Sequence, residues 1–141
     1  MPANLPDDIN LHESKCGWTA AVPVSRGAFF GQAVRLDIQT RSFPQESQPP
    51  VPSEPEVALA SAVLEDIGRI LREAEAQFTS YNAKTAPNAI FHVRDPHIWI
   101  SREYIAPGTL WSFVVGLQEA PDFGYHIEFD GAACIDIWAG D

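Results

Sequence analysis

The stretch from Ser53 to Tyr81 limits what this chain can fold into, because its apolar residues recur at a helical period along its whole length. Val57, Ala60, Val63, Leu64, Ile67, Ile70, Leu71, Ala74, Phe78 and Tyr81 fall at three-and-four spacing and define one buried stripe. Ser53-Glu54-Pro55-Glu56 supplies the start signal: a hydroxyl for the free amides, a carboxylate three residues on, and proline in the first turn. Glu65, Asp66, Arg69, Arg72, Glu73 and Glu75 occupy the opposite, solvated face, with Glu65 and Arg69 at favourable i,i+4 spacing. Gly68 costs roughly 1 kcal/mol relative to alanine inside a helix, which predicts close backbone approach there. A helix of about 40 Å striped on one side needs a broad apolar partner.

That partner is written on either side of it as strands. Trp18 to Val24 alternates in polarity and carries an edge-type proline, Pro23; Phe29 to Thr40 alternates Val34, Leu36 and Ile38 with Arg35, Asp37 and Gln39. Residues 41–52 hold four prolines and read as an extended connector within the domain. After a turn at Asn82–Asn88, strands are expected at Ala89–Val93, at His97–Ile100 beyond an Asp95-Pro96 turn, and at Leu110–Leu117, which is apolar enough for a central position. Tyr125–Phe129 and Ala133–Trp138 alternate about Asp130-Gly131, a tight-hairpin signal. Residues 1–14 are polar, aperiodic and proline-containing, an arm ordered only where it docks on the body and given little role of its own.

Two strands, a helix and then a run of strands lack the β-α-β alternation of a doubly wound sheet. The expected architecture is α+β: a single domain over residues 15–141, made of one twisted antiparallel sheet of about six strands with the one long helix packed across one face. The 15 aromatic residues and 45% hydrophobic content give such a domain a core of its own. Its net charge of −10 disfavours nucleic acid and anionic lipid as partners and favours solubility or a basic protein. No apolar run is long enough for a membrane span, and the Met1 start lacks the features of a signal peptide, so a reducing cytoplasm is expected. Cys16 and Cys134 are then two thiols, or else one disulfide joining the first strand to the last.

If Tyr125, Ile127, Phe129, Ile135 and Ile137 face the helix, then His126, Glu128, Asp130, Asp136, Trp99 and Trp138 share the outer face of the sheet. His126, Glu128 and Asp136 form a conceivable metal or acid-base set, although alternation alone puts polar residues together on any one-sided sheet. Outer-face tryptophans are either roofed by the arm and connector, the commoner outcome, or left as anchors for a partner. No Gly-x-Ser-x-Gly elbow, nucleophilic cysteine motif or glycine-rich phosphate loop is present, and no cofactor is expected.

The helix ending near Phe78 and Tyr81, the apolar strand Trp111-Ser112-Phe113-Val114-Val115, the strand Gly124-Tyr125-His126-Ile127 and the closing Ile135-Asp136-Ile137-Trp138-Ala139-Gly140-Asp141 together resemble a group of small uncharacterised bacterial domains, some regarded as immunity proteins of polymorphic toxin systems. An acidic-His-Gly step of that group corresponds here to Asp122-Phe123-Gly124, which lacks the histidine. The resemblance implies a non-catalytic cytoplasmic binder of a basic toxin surface, with Glu128, Asp130, Asp136 and Trp138, together with Trp99, as contact residues. A small metal-binding protein or enzyme built on His126, Glu128 and Asp136, and a homodimer formed through an edge strand or the outer face, are the competing expectations.

Overall fold

The computed structural model describes residues 4–104 and 109–140. Within them lie seven strands and two helices: β1 (His12–Glu13), β2 (Gly17–Val22), β3 (Val34–Gln39), α1 (Glu54–Glu65), α2 (Ile67–Thr85), β4 (Val93–Ser101), β5 (Leu110–Leu117), β6 (Gly124–Asp130) and β7 (Ala133–Gly140). The strands form one sheet in chain order, β1 to β7, rather than the six or so expected. Every neighbouring pair is antiparallel except β3 and β4, which run parallel with Leu36 opposite Ile98 and Ile38 opposite Ile100. A parallel neighbour requires the chain to cross over the sheet, and the connector with α1 and α2 makes that crossing. Among the described residues no helix is long and apolar enough to cross a membrane.

The helix is two segments, not one. Asp66 leaves helical geometry (φ −118°, ψ 21°) and bonds back to Leu64 and Val63, so α2 restarts at Ile67 without a side-chain cap. Beside the break the β2–β3 loop lies in van der Waals contact with the first turn of α2: a Cβ on Gly68 would lie 3.6 Å from the Arg26 carbonyl oxygen, and one on Gly27 would lie 3.5 Å from the Gly68 Cα. The break also re-pairs the surface charges, since Arg69 takes Asp66 rather than Glu65. At its far end α2 runs past Tyr81 to Thr85, because Asn82 is buried and accepts a hydrogen bond from the Tyr125 hydroxyl at 2.8 Å.

Both segments bury their stripes in a single core. Leu59, Val63 and Leu64 of α1 and Ile67, Ile70, Leu71 and Phe78 of α2 join Leu36, Ile38, Ile98, Ile100, Trp111, Phe113, Val115, Tyr125, Ile127 and Phe129 from alternate positions of β3 to β6. Phe78 meets Tyr125 edge-on at 4.7 Å between ring centroids, and Phe29 bridges Phe78 and Phe113. The described part of the N-terminal arm docks as well: Ile9 is buried, Asp8 pairs with Arg26, and β1 extends the sheet.

Three local expectations are corrected. Strand structure begins at Val34 rather than Phe29, because Phe30 and Gly31 adopt positive φ in a turn closed by a bridge between Phe29 and Gln32. Residues 89–92 form no strand; β4 starts at Val93 and runs through Asp95-Pro96, which is a bulge with Asp95 at φ +53° rather than a turn between strands. Ile135 does not face the core. A second bulge places Cys134 opposite Phe129 and Asp136 opposite Glu128, so Ile135 is the extra residue and is 57% exposed. Cys16 and Cys134 are both free, and the five strand spacings between β2 and β7 put them about 24 Å apart in the sheet.

The crossover is tied down at its start. Ser53 and Glu56 form the reciprocal cap expected from sequence, and the wholly buried Glu56 carboxylate also takes Arg102, just past β4, at 2.7 Å. Burial opposes ionisation of Glu56, but the hydrogen bonds from Arg102 and Ser53 outweigh it and hold the carboxyl below the usual glutamate range. Its contribution is therefore complete above about pH 4.3 and is lost as pH falls through the lowered value. Glu56→Ala is expected to cost about 2–3 kcal/mol in urea unfolding at pH 7, less than breaking a fully enclosed pair because Arg102 is partly open to water. Glu56→Gln should cost less and flatten the acid limb of the stability curve; an unchanged acid limb would contradict the assignment.

Candidate functional site

The face of the sheet away from the helices carries the polar alternates together with Trp99 and Trp138, with Tyr104 against Trp99. Strand register sets their order: Asp37, Trp99, Ser112, Glu128 and Asp136 stand in one row across β3, β4, β5, β6 and β7. One step along, His97, Val114, His126 and Trp138 form the next row across β4 to β7. A groove of about 460 Å³ lies over this region, lined by Trp99, Tyr104, Ser112, His126, Glu128 and Trp138 among others, with no lysine or arginine among its described lining residues.

The groove walls are held by specific contacts. The Trp138 indole lies flat on His126, with ring centroids 4.0 Å apart and planes 9° from parallel, and its N–H donates to Glu128 Oε2 at 3.3 Å. Trp99 donates its N–H to Gln39 Oε1 at 2.9 Å and packs against Tyr104 at 5.7 Å. The connector reaches the inner-face Trp18, whose indole N–H donates to the Pro50 carbonyl at 2.9 Å. Trp138 remains 42% exposed. The bulge at Ile135 adds an aliphatic side chain to the same groove.

Beside the groove the charges neutralise one another. Arg35 pairs with Asp37 and Asp95, and Thr19 donates to Asp37 at 2.7 Å. Burial would raise the Asp37 pKa, but Arg35 and Thr19 bring it below the ordinary range, so this cluster is a closed ion network. His97 and His126 are both shifted down from 6.5, chiefly by burial; Glu128 opposes the shift at His126 and Arg35 reinforces it at His97. Both imidazoles are accordingly neutral at pH 7.

Of the residues singled out from sequence, the structure brings Trp99, Glu128 and Trp138 together in the groove, with His126 beneath Trp138. Asp136 is opposite Glu128 but turns to accept the Ile137 N–H at 2.9 Å, and Asp130 sits at the hairpin bonded to Thr109. Among the described residues no three His, Cys, Asp or Glu side chains form a group able to hold a metal ion, so His126, Glu128 and Asp136 do not close into the alternative ligand set. Sequence reasoning missed Tyr104, Ser112 and Ile135. Ser112 was available from alternation, since it lies between the inward Trp111 and Phe113, whereas Tyr104 and Ile135 depend on a turn and a bulge that carry no periodic signal.

Because Trp138 supplies the cover over His126, Trp138→Ala should raise the His126 titration midpoint toward 6.5 in an NMR pH series. In the intact protein the lowered midpoint makes stability fall as pH drops below about 6.5, since the unfolded chain binds the proton more readily, and the variant should lose that part of the slope. A midpoint that stays put in Trp138→Ala would contradict the stacked geometry. The chain matches no protein-family model, no curated protein and no solved structure.

Proposed function

We propose that this chain is an acidic, non-catalytic binding protein that receives a basic protein on the outer face of its sheet. The observation that carries this reading is the groove walled by Trp99, Tyr104 and Trp138, which holds the Glu128 carboxylate and, among the described residues, no lysine or arginine. Pinned aromatic side chains beside a carboxylate make a preorganised recognition surface. The neighbouring polar groups are committed to each other, His126 to Trp138 and Arg35 to Asp37 and Asp95, as in a rigid contact face. A net charge of −10 adds long-range steering of a basic partner. The resemblance to polymorphic-toxin immunity proteins is consistent with this reading, and would make the partner a toxin met in the cytoplasm.

The test compares two doubly reversed variants of equal net charge as bait in lysate of the source cells. Glu128→Lys/Asp136→Lys alters the outer face; Glu46→Lys/Glu65→Lys alters exposed positions in the connector and at the end of α1. The wild-type chain and the second variant should retain one basic protein, identified by mass spectrometry, while the first loses it or associates about tenfold more slowly at low salt. Equal capture by both variants, capture of an acidic protein, or capture of nothing beyond further copies of the same chain would contradict the proposal.

A further inference from the structure

The register of the outer face leaves a gap of defined shape and charge. Trp99 on β4 and Glu128 on β6 lie in the same cross-strand row with only Ser112 of β5 between them. Two strand spacings separate their backbones by about 9.6 Å. The intervening hydroxymethyl group forms a low floor between Trp99, whose ring also meets Gln39 and Tyr104, and the Glu128 carboxylate. Glu128 has no cationic partner among the described residues: the arginine ion pairs there join Arg26 to Asp8, Arg35 to Asp37 and Asp95, Arg69 to Asp66, and Arg102 to Glu56. Its Oε2 takes the Trp138 indole N–H, and no protein hydrogen bond among the described residues reaches Oε1.

A flat, weakly hydrated cation fits this combination better than a compact one. A guanidinium stacks on an indole face and presents N–H groups in its own plane to a carboxylate, whereas an ammonium is a strongly hydrated point charge with no plane to stack. An anion would meet the Glu128 carboxylate, with no lysine or arginine among the described lining residues to offset it. Resting on the reading that the outer face receives a basic protein, we propose that the groove is an arginine subsite, in which one arginine side chain of the partner lies over Ser112, stacked on Trp99, with its guanidinium on Glu128 and the Trp138 ring beside it.

The probe is the peptide acetyl-Gly-Arg-Gly-amide, titrated into the full chain while the tryptophan indole N–H signals are followed by heteronuclear NMR. The signals of Trp99 and Trp138 should shift saturably in the millimolar range expected of a single side chain, while that of Trp18, which does not line the groove, stays in place. The lysine peptide should bind several-fold more weakly. The citrulline peptide, which keeps the shape and loses the charge, should bind at least about tenfold more weakly. Glu128→Gln should weaken the arginine peptide about tenfold, and Ser112→Leu, which fills the floor, should abolish its shift while the remaining spectrum shows the fold intact.

Equal binding of arginine and citrulline, equal binding of arginine and lysine, an unaffected Glu128→Gln or Ser112→Leu variant, or no shift at all would each overturn the subsite. The two levels separate cleanly. Charge-sensitive capture of a basic protein without arginine-peptide binding removes the subsite and leaves the basic partner, while arginine-peptide binding together with charge-insensitive capture leaves the subsite and removes the partner.

Discussion

Everything in this molecule follows from how the chain returns to its own sheet: β4 lies beside β3 and parallel to it, so the polypeptide between them has to cross one face before it can pair again. That segment is the connector with α1 and α2, and its apolar stripe makes the crossing favourable by burying Leu36, Ile38, Ile98, Ile100, Phe113 and Ile127 beneath it. The other strand connections join antiparallel neighbours, so no second crossing is needed to complete the sheet. One face is thereby assigned to the core and the other to solvent. Glu56 anchors the arrangement where it begins, joining the first turn of α1 to the residue that follows β4.

The uncovered face is not a featureless solvated surface. A sheet with one wet side normally carries short polar or long charged side chains there, yet here Trp99, Tyr104 and Trp138 are gathered on it and pinned by hydrogen bonds or ring contacts. Holding such rings in fixed orientations lowers the entropy lost when a partner meets them. The Arg35–Asp37–Asp95 network closes the neighbouring region and leaves the Glu128 end of the row as the place where negative charge meets aromatic surface.

Much of this was legible in the residues, and the rest was hidden for identifiable reasons. The cap at Ser53-Glu54-Pro55-Glu56, the inward set Tyr125, Ile127 and Phe129, and the closing hairpin are written in local chemistry and period, and each is present. The hairpin differs only in detail, since Asp130 stays in the ladder opposite Ala133 and Gly131, at φ +59°, makes the turn with Ala132. The helix break at Asp66 was invisible because the apolar stripe continues through it, with Val63 and Leu64 buried before it and Ile67 and Ile70 after it. The parallel pairing of β3 with β4 was missed because strand count and turns do not reveal which edge a returning chain chooses. Two bulges, at Asp95-Pro96 and at Ile135, shifted the alternation on which face assignments rest. At Ile135 that shift turned a residue expected in the core into part of the groove. The candidate site was therefore legible through Trp99, Glu128 and Trp138, which alternation alone places, and not through Tyr104 or Ile135, which it does not.

The central claim is that the helices cover one face and leave the aromatic groove on the other open in the free protein. Hydroxyl-radical footprinting of the isolated chain, read by mass spectrometry at single residues, measures this directly. Trp138, Tyr104 and Ile135 should be labelled readily, and Trp111, Phe113 and Tyr125 should be protected until the chain is unfolded. Protection of Trp138 and Tyr104 in the free monomer, or ready labelling of Phe113 and Tyr125 in the folded chain, would contradict the account.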